Sequence, residues 1–475
     1  MLQHYILRSV GLHRNAPRVY LDDGFLNATA FQPGTLYNVH VEESGCRIVL
    51  KVSETGSRKV SSKDKRGRRQ PVIDINSRTD LAGFDGQQLV RIVITHAEVY
   101  ILIPASERNR RERLRRLLAK FNEGQDLRMA SFAHGIGVMS NAAHAGLTKA
   151  GVNATLAIAN ELESIFIGQS MQFNDAWSAN THALAAPMQE VVQDQWLMNR
   201  LGTVEIMEAG IPCSGASKAG KAKRGLHHME SHPTVGHLIA PVVMAIQHLQ
   251  PVAVCIENVE SYSTSASADI LRKMLNDMLY AVHEIVLDAR PFGTTEGRTR
   301  WFLVAVTQGI EIDLQVLLNT APEPAPTVAE QLDDIALDAP AWRSFTYLIK
   351  KEERDASKGN CFAMQIVKSS DCSVPTLRKG YHKGGSTDPL LEHPTREGLY
   401  RLFTPAEHAR FKGIPASLIA GMSSVQAHQG LGQSISYPVV SAIFELLGRS
   451  LSALRQQDVE VKQAASPSYN LVATG

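Results

Sequence analysis

Two short apolar runs, Val204 to Met207 and Pro251 to Ile256, each stop at residues that carry chemistry, and this pairing constrains the fold more than any other feature. The first reads as a buried strand broken by Gly210-Ile211-Pro212, with Cys213 just beyond its carboxyl end. The second reads as a buried strand ending in Glu257 and Asn258. In a parallel α/β sheet both carboxyl ends open on one edge, the edge where such sheets bind ligands. A thiol and a carboxyl group would then share one rim of a cleft, a pair suited to covalent attack on an electron-poor ring. A single Cys at a strand end is more often a small buried hydrophobe, so the pair needs support from its flanks.

The flanks supply it. Residues 210–217 (GIPCSGAS), 256–259 (IENV) and 296–306 (EGRTRWFLVAV) follow one another along the chain, with 400–415 (YRLFTPAEHARFKGIP) and 430–440 (GLGQSISYPVV) after them. These five stretches resemble, in order, signature motifs of the DNA cytosine-5 methyltransferases, over roughly Arg128 to Leu451. The resemblance implies an α/β, Rossmann-like S-adenosylmethionine-dependent methyltransferase domain with a small target-recognition domain. An N-terminal β-rich domain is added ahead of it. It also implies Cys213 as the nucleophile adding to cytosine C6 and Glu257, in its protonated form, as the group serving N3. Arg300 would hold the cytosine O2, and Arg298 would order the catalytic loop or a phosphate. Ser217, Lys218 and Lys221 fall in a Gly- and Lys-rich segment that would close over DNA. No metal is called for, and the target base must leave the helix stack to be reached.

Before these motifs, Ser131 to Gly137 (SFAHGIG) reads as a strand, a Gly-rich turn and a helix start. By resemblance this is the S-adenosylmethionine loop, with Gly135 and Gly137 giving close backbone approach and the helix N-terminus offering donors. Ser131 stands at an acidic position of the family pattern and Ala133 at an aromatic one, so Phe132 would be the stacking ring only with one residue inserted. Glu161, at the end of the strand from Ala154, is the candidate for the ribose hydroxyls. Ser434 is the candidate contact to the cofactor carboxylate. Ser214, Glu296 and Gln433 also depart from the pattern.

The remaining organisation follows from pattern and composition. Residues 1–104 alternate as strands and contain a weak echo, Phe25–Leu50 against Leu81–Leu102, which suits a small closed barrel of paired hairpins. Their basic loop (Lys59, Lys63, Lys65, Arg66, Arg68, Arg69) is either a DNA-touching or a solvated loop. Residues 105–125 form a helical linker, Ser106 to Phe121 with Leu114, Leu117, Leu118 and Phe121 as an apolar stripe. Its run Arg108 to Lys120 is basic and suits phosphate contact, or is a solvated face. A catalytic domain over 126–310 is followed by a linker and target-recognition domain over 311–400. Residues 401–455 complete the catalytic domain, with a helix from Val439 to Leu454, and 456–475 form a disordered tail.

A formal net charge of +2 excludes nothing about partners, and five cysteines without regular spacing argue against a disulfide framework or a zinc site. The apolar stretches near 235–260 are too interrupted to span a membrane, and no signal peptide is read, so a cytoplasmic enzyme is expected. Its partner would be double-stranded DNA, with a cognate restriction endonuclease where the enzyme serves a restriction–modification system. Two other readings stay open. One is an RNA cytosine-5 methyltransferase of similar fold, and the other is a DNA-binding protein of that fold without turnover.

Overall fold

A computed structural model of the chain describes residues 2–22, 24–42, 46–65, 67–84, 86–212, 228–319 and 323–465, with side chains to 456. The chain divides into two compact units, residues 1–111 and 112–475.

The first unit is antiparallel throughout. A six-stranded sheet runs, in spatial order, Leu2–Ser9, Leu89–Thr95, Glu98–Leu102, Arg47–Val52, Leu36–Glu42 and Arg58–Lys59, beside a four-stranded sheet of Gly11–His13, Ala16–Leu21, Arg68–Ile75 and Ser61–Lys65. Val19, Leu21, Ile73 and Ile75 from the smaller sheet share one core with Ile48, Leu50, Ile92 and Ile101 from the larger. Two open sheets around a common core therefore stand in place of a single closed barrel. The internal echo is structural: 3-10 turns at Gly24–Leu26 and Ala82–Phe84 each precede a hairpin and bury one side chain, Leu26 and Phe84. The basic loop is a hairpin, Lys65 opposite Arg68, with Lys63 ion-paired to Asp22.

Helix α1 (Ala105–Glu123) contains the division between the units. In the second unit, strands β1 (Leu127–Phe132), β2 (Ala154–Glu161), β3 (Trp177–Ala185), β4 (Ile206–Gly210), β5 (Ala253–Asn258), β6 (Tyr280–Asp288) and β7 (Thr299–Thr307) make one sheet. Its spatial order is β3-β2-β1-β4-β5-β7-β6. β7 runs antiparallel to both of its neighbours. Helices α2 (Val138–Lys149) and α3 (Ser164–Phe173) cover one face, and α4 (Ile239–Leu249) and α5 (Ala266–Asp277) cover the other. Every residue of β5 is buried, as expected for a strand sandwiched on both faces. α4 begins at Ile239, two residues before Pro241, which is accommodated in a first turn.

Much of the basic run on α1 is engaged within the protein, while Arg108 and Arg115 are exposed. Arg113 is fully buried and donates to Thr307 Oγ1 (2.9 Å), Gln250 Oε1 (3.0 Å) and the carbonyls of Met278 (2.8 Å) and Leu279 (3.3 Å). Its guanidinium also lies 4.1 Å from the centre of the Tyr280 ring. Arg116 pairs with the buried Glu205 at 2.8 Å, Arg110 and Arg111 with Glu107, and Arg115 with Glu112.

After β7, Thr346–Ser357 is helical and a small sheet joins Ile366–Val367, Leu390–Glu392 and Tyr400–Arg401. Helices α6 (Pro405–Phe411), α7 (Ser424–Gln433) and α8 (Tyr437–Ala465) close the unit. α6 opens with a capping box, Thr404 with Glu407, and Glu407 also takes a two-pronged pair from the buried Arg401. α8 runs past the expected end at Leu454 as far as Ala465. It packs along α2, where a Cβ on Gly146 would collide with the Ser441 carbonyl.

Candidate functional site

The order of the sheet reverses between β1 and β4, which opens a crevice beyond their carboxyl ends. The segment leaving β1 is shaped to line it. Ala133, Gly135 and Gly137 all have positive φ (53°, 59° and 80°). A Cβ at Gly137 would lie 2.6 Å from Asn174 Nδ2 and 2.8 Å from His134 Nε2, so only glycine fits there. At Gly135 the same construction meets nothing within 4 Å, leaving space against the backbone.

Glu161 reaches this loop. Its Oε2 accepts from Gly135 N at 2.7 Å, and Oε1 accepts from Leu162 N and Glu163 N at 2.9 and 3.1 Å. One lone pair on Oε2 is left for a hydroxyl. The three predicted residues Gly135, Gly137 and Glu161 thus form one assembly. Ser434 ends α7 and donates to the Gly430 carbonyl at 2.7 Å. Its segment abuts the loop, since a Cβ on Gly430 would sit 2.8 Å from Ile136 Cγ2 and Tyr437 donates to Asn141 Oδ1 at 2.8 Å. Phe132 is not a stacking ring: its side chain is wholly buried against the opposite face of the sheet.

β4 and β5 are parallel and in register, Gly210 opposite Glu257. Asn258 ties the two ends together by donating to the Ile211 carbonyl at 3.0 Å. Arg300 comes from the adjacent β7 and places Nε 2.9 Å from Glu257 Oε1. The predicted carboxyl and one predicted guanidinium therefore meet at the strand ends. Cys213, Ser217, Lys218 and Lys221 lie outside the described residues.

Arg298 lies among buried charges. It precedes the first residue of β7, is 5% exposed, and faces Glu296 Oε1 at 3.5 Å. Lys412 approaches the same oxygen at 3.4 Å and donates to the Leu431 carbonyl at 2.9 Å, while His408 Nε2 lies 4.0 Å from Glu296 Oε2. Burial, reinforced by the nearby Arg298, pushes Lys412 down to about 7, and burial holds His408 well below the ordinary histidine range. The departure at Glu296 acquires a physical reason: a carboxylate offsets two cations that burial would otherwise leave uncompensated. This cluster joins the segments around Arg298, Lys412 and Leu431 into one support behind the site.

One residue was missed. Glu208 on β4 is 2% exposed, with Ser131 of β1 opposite it on one side and Cys255 of β5 on the other. Burial pushes its carboxyl up to about 8, with the Ser131 hydroxyl opposing and the charge of Glu257 adding to the rise. A glutamate inside the run Ile206–Gly210 was the available signal.

With this geometry in place, likenesses to known proteins can be stated. The family model described as C-5 cytosine-specific DNA methylase matches residues 128–449. The chain is 28% identical over 270 residues to the type II methyltransferase M.NlaX of Neisseria lactamica, covering 54% of this chain and 79% of that protein. It is also 28% identical over 263 residues to the type II methyltransferase M.MspI of a Moraxella species, covering 53% of this chain and 58% of that one. Among solved structures, the Dnmt2 methyltransferase of S. pombe superposes with a TM-score of 0.54 at 18% identity, covering 69% of this chain and 99% of the other. The Entamoeba histolytica methyltransferase EhMeth does so with a TM-score of 0.52 at 19% identity, covering 68% and 98%. At such identities the structural likeness concerns the fold. Among the described residues no helix is long and apolar enough to cross a membrane, and no group of His, Cys, Asp and Glu is arranged to hold a metal ion.

Proposed function

The chain belongs to the C-5 cytosine-specific DNA methylase family, and from that membership we propose that it methylates C5 of cytosine in double-stranded DNA, with S-adenosyl-L-methionine as donor. The observation that carries the reading is the junction of β4, β5 and β7, where Glu257 and Arg300 meet 2.9 Å apart beside the strand that leads into Cys213.

Cytosine C5 is too poor a nucleophile to react while the ring is aromatic. The Cys213 thiolate adds to C6, forming a C–S bond and moving an electron pair toward C5. Glu257 offers its proton or a short hydrogen bond to N3, where negative charge would otherwise accumulate. Arg300 orients Glu257 through Nε, and its remaining N–H groups are sufficient in number to hold the O2 oxygen. Arg298 acts from behind, through the Glu296 cluster. When bound, the donor supplies an electrophilic methyl group. Once C5 is methylated, its proton leaves to solvent, the C–S bond breaks and Cys213 is restored. The glycine loop with Glu161 would hold the nucleoside part of the donor, and Ser434 its carboxylate end. Ser217, Lys218 and Lys221 would contact DNA, and the short interval around 340–395 would choose the sequence. EC 2.1.1.37 is the matching class, and the type II relatives favour a cytoplasmic, restriction–modification setting with a cognate endonuclease.

Bisulfite sequencing of a plasmid recovered from cells expressing the protein tests the proposal. A conversion-resistant cytosine at one recurring sequence is expected. Protection absent from DNA but present in RNA of the same cells would shift the substrate to RNA, and protection of neither would leave a fold without turnover.

A further inference from the structure

Glu208 belongs to neither the nucleophilic chemistry nor the glycine loop, yet the structure surrounds it with a directed arrangement. His134 Nδ1 lies 2.7 Å from Ser131 Oγ, and His134 Nε2 lies 2.7 Å from Ser170 Oγ. Ser170 also receives the Trp177 indole N–H at 3.0 Å and the Asn174 amide at 3.2 Å. Trp177 can only donate and takes one lone pair of Ser170, while the Asn174 amide is shared with the Gly137 carbonyl and Ser140 Oγ, both at 3.0 Å. Burial lowers His134 to about 3, so it is neutral, and in the arrangement where Ser170 donates to Nε2 its proton sits on Nδ1. That proton is given to Ser131, and the Ser131 proton points onward to Glu208. Every donor in that arrangement, from Trp177 onward, is thus aimed at the carboxyl of Glu208.

Such a series polarises in favour of a negative charge at its end. Opposing it are complete burial and Glu257, which ends the adjacent strand and is itself engaged by Arg300. Cys255, across β5, is held as a neutral thiol by burial. Glu208 Oε1 has no hydrogen-bond partner. A buried carboxyl with one satisfied side and one orphaned oxygen is costly to maintain without a use. It also lies in register beside Ser131, the position that lacks an expected acid.

We infer that Glu208 is the counter-charge of the methyl-donor pocket, a carboxyl that is neutral while the pocket is empty and gives up its proton when a cationic donor binds. This inference rests on the proposed function. Methyl transfer converts a sulfonium into a neutral thioether, so a carboxyl that answers the sulfonium holds the donor more tightly than its product. One answering the α-ammonium group treats the two alike. The cation is the shared chemistry, and the ligands used in the test separate its two sources. Each unit by which the ligand lowers the Glu208 pKa corresponds to about a tenfold gain in affinity.

Calorimetric titration of the full-length protein at pH 7, in buffers of differing ionisation enthalpy, counts the protons. Binding of S-adenosylmethionine to the wild type is expected to release a large fraction of one proton. Glu208→Gln keeps the shape of the neutral carboxyl and should bind the donor about tenfold more weakly or worse, with no release. Release with S-adenosylmethionine alone assigns the sulfonium, and equal release with S-adenosylhomocysteine assigns the ammonium. Donor binding by the wild type with no proton released, or unchanged release in Glu208→Gln, overturns the inference while leaving the methyltransferase reading intact. No donor binding at all by the wild type overturns both.

Discussion

Replacing Glu208 by Gln should make the protein more stable, by an amount that grows with pH. The carboxyl titrates near 8 in the folded protein against 4.5 for its ordinary value, because burial disfavours the charged form. A raised folded-state value means that the folded chain holds the proton longer than the unfolded chain does. The penalty is therefore absent below about pH 4.5, grows between 4.5 and 8, and is constant above 8. At ~1.4 kcal/mol per unit, Glu208 costs under about 1 kcal/mol at pH 5, about 3 kcal/mol at pH 7 and about 5 kcal/mol above pH 8. Gln has no such dependence, and any packing change it introduces is an offset independent of pH. The difference in unfolding free energy between variant and wild type should thus rise by roughly 3 kcal/mol or more from pH 5 to pH 8. Urea unfolding followed by tryptophan fluorescence reads the relevant unit alone, since all four tryptophans (177, 196, 301 and 342) belong to it. A difference that stays flat across this range would refute the reasoning.

Arg113→Met should cost about 3–5 kcal/mol in the same assay, because it strands two half-buried carbonyls and two side-chain acceptors. A loss below about 1 kcal/mol would mean that those groups find other partners. Glu257→Gln should retain donor binding and lose methylation rate by about 10² or more, and near-normal turnover would assign N3 to another group. Wild type with 5-fluorocytosine DNA and donor should give a complex that survives denaturation, and Cys213→Ser should give none. An adduct formed by the Ser variant would rule Cys213 out as the attacking residue. Changing Lys65, Arg68 and Arg69 together to Ala should flatten the salt dependence of DNA binding by roughly 0.9 for each phosphate the hairpin had neutralised. An unchanged slope would make the hairpin tip a merely solvated one.

The strand ends were legible because a period-two or fully apolar run stopped by Gly-Pro or Glu-Asn is a local signal. That the two strands end side by side followed from it, whereas Arg300 beside Glu257 came from the resemblance. Arg298 sits just before β7 with Glu296 as a buried partner, and nothing local in the sequence announces what packs behind the pair. Its surroundings are decided by Lys412, more than a hundred positions on. Arg113 and Arg116 of α1 read as part of a charged face because their partners are remote, Thr307 lying 194 positions from Arg113. Glu208 looked like an ordinary member of an apolar run until β1 supplied Ser131 beside it. The first strands of the chain carry a weak pattern for a different reason. Leu2–Ser9 has no fully buried side to give it a pattern, and Pro17 weakens Ala16–Leu21 as a strand.

Helix α2, which carries the donor loop at its head, lies along α8, the last helix of the chain, and Gly146 brings the two backbones together. The ribosome makes them far apart in time. Roughly 290 residues separate the end of one from the start of the other, on the order of 15–60 s of elongation at 5–20 residues per second. During that interval α2 has no permanent neighbour on the side that α8 will cover. A chain cut short between Arg300 and Tyr437 therefore holds all of its proposed attacking groups and no finished seat for the donor.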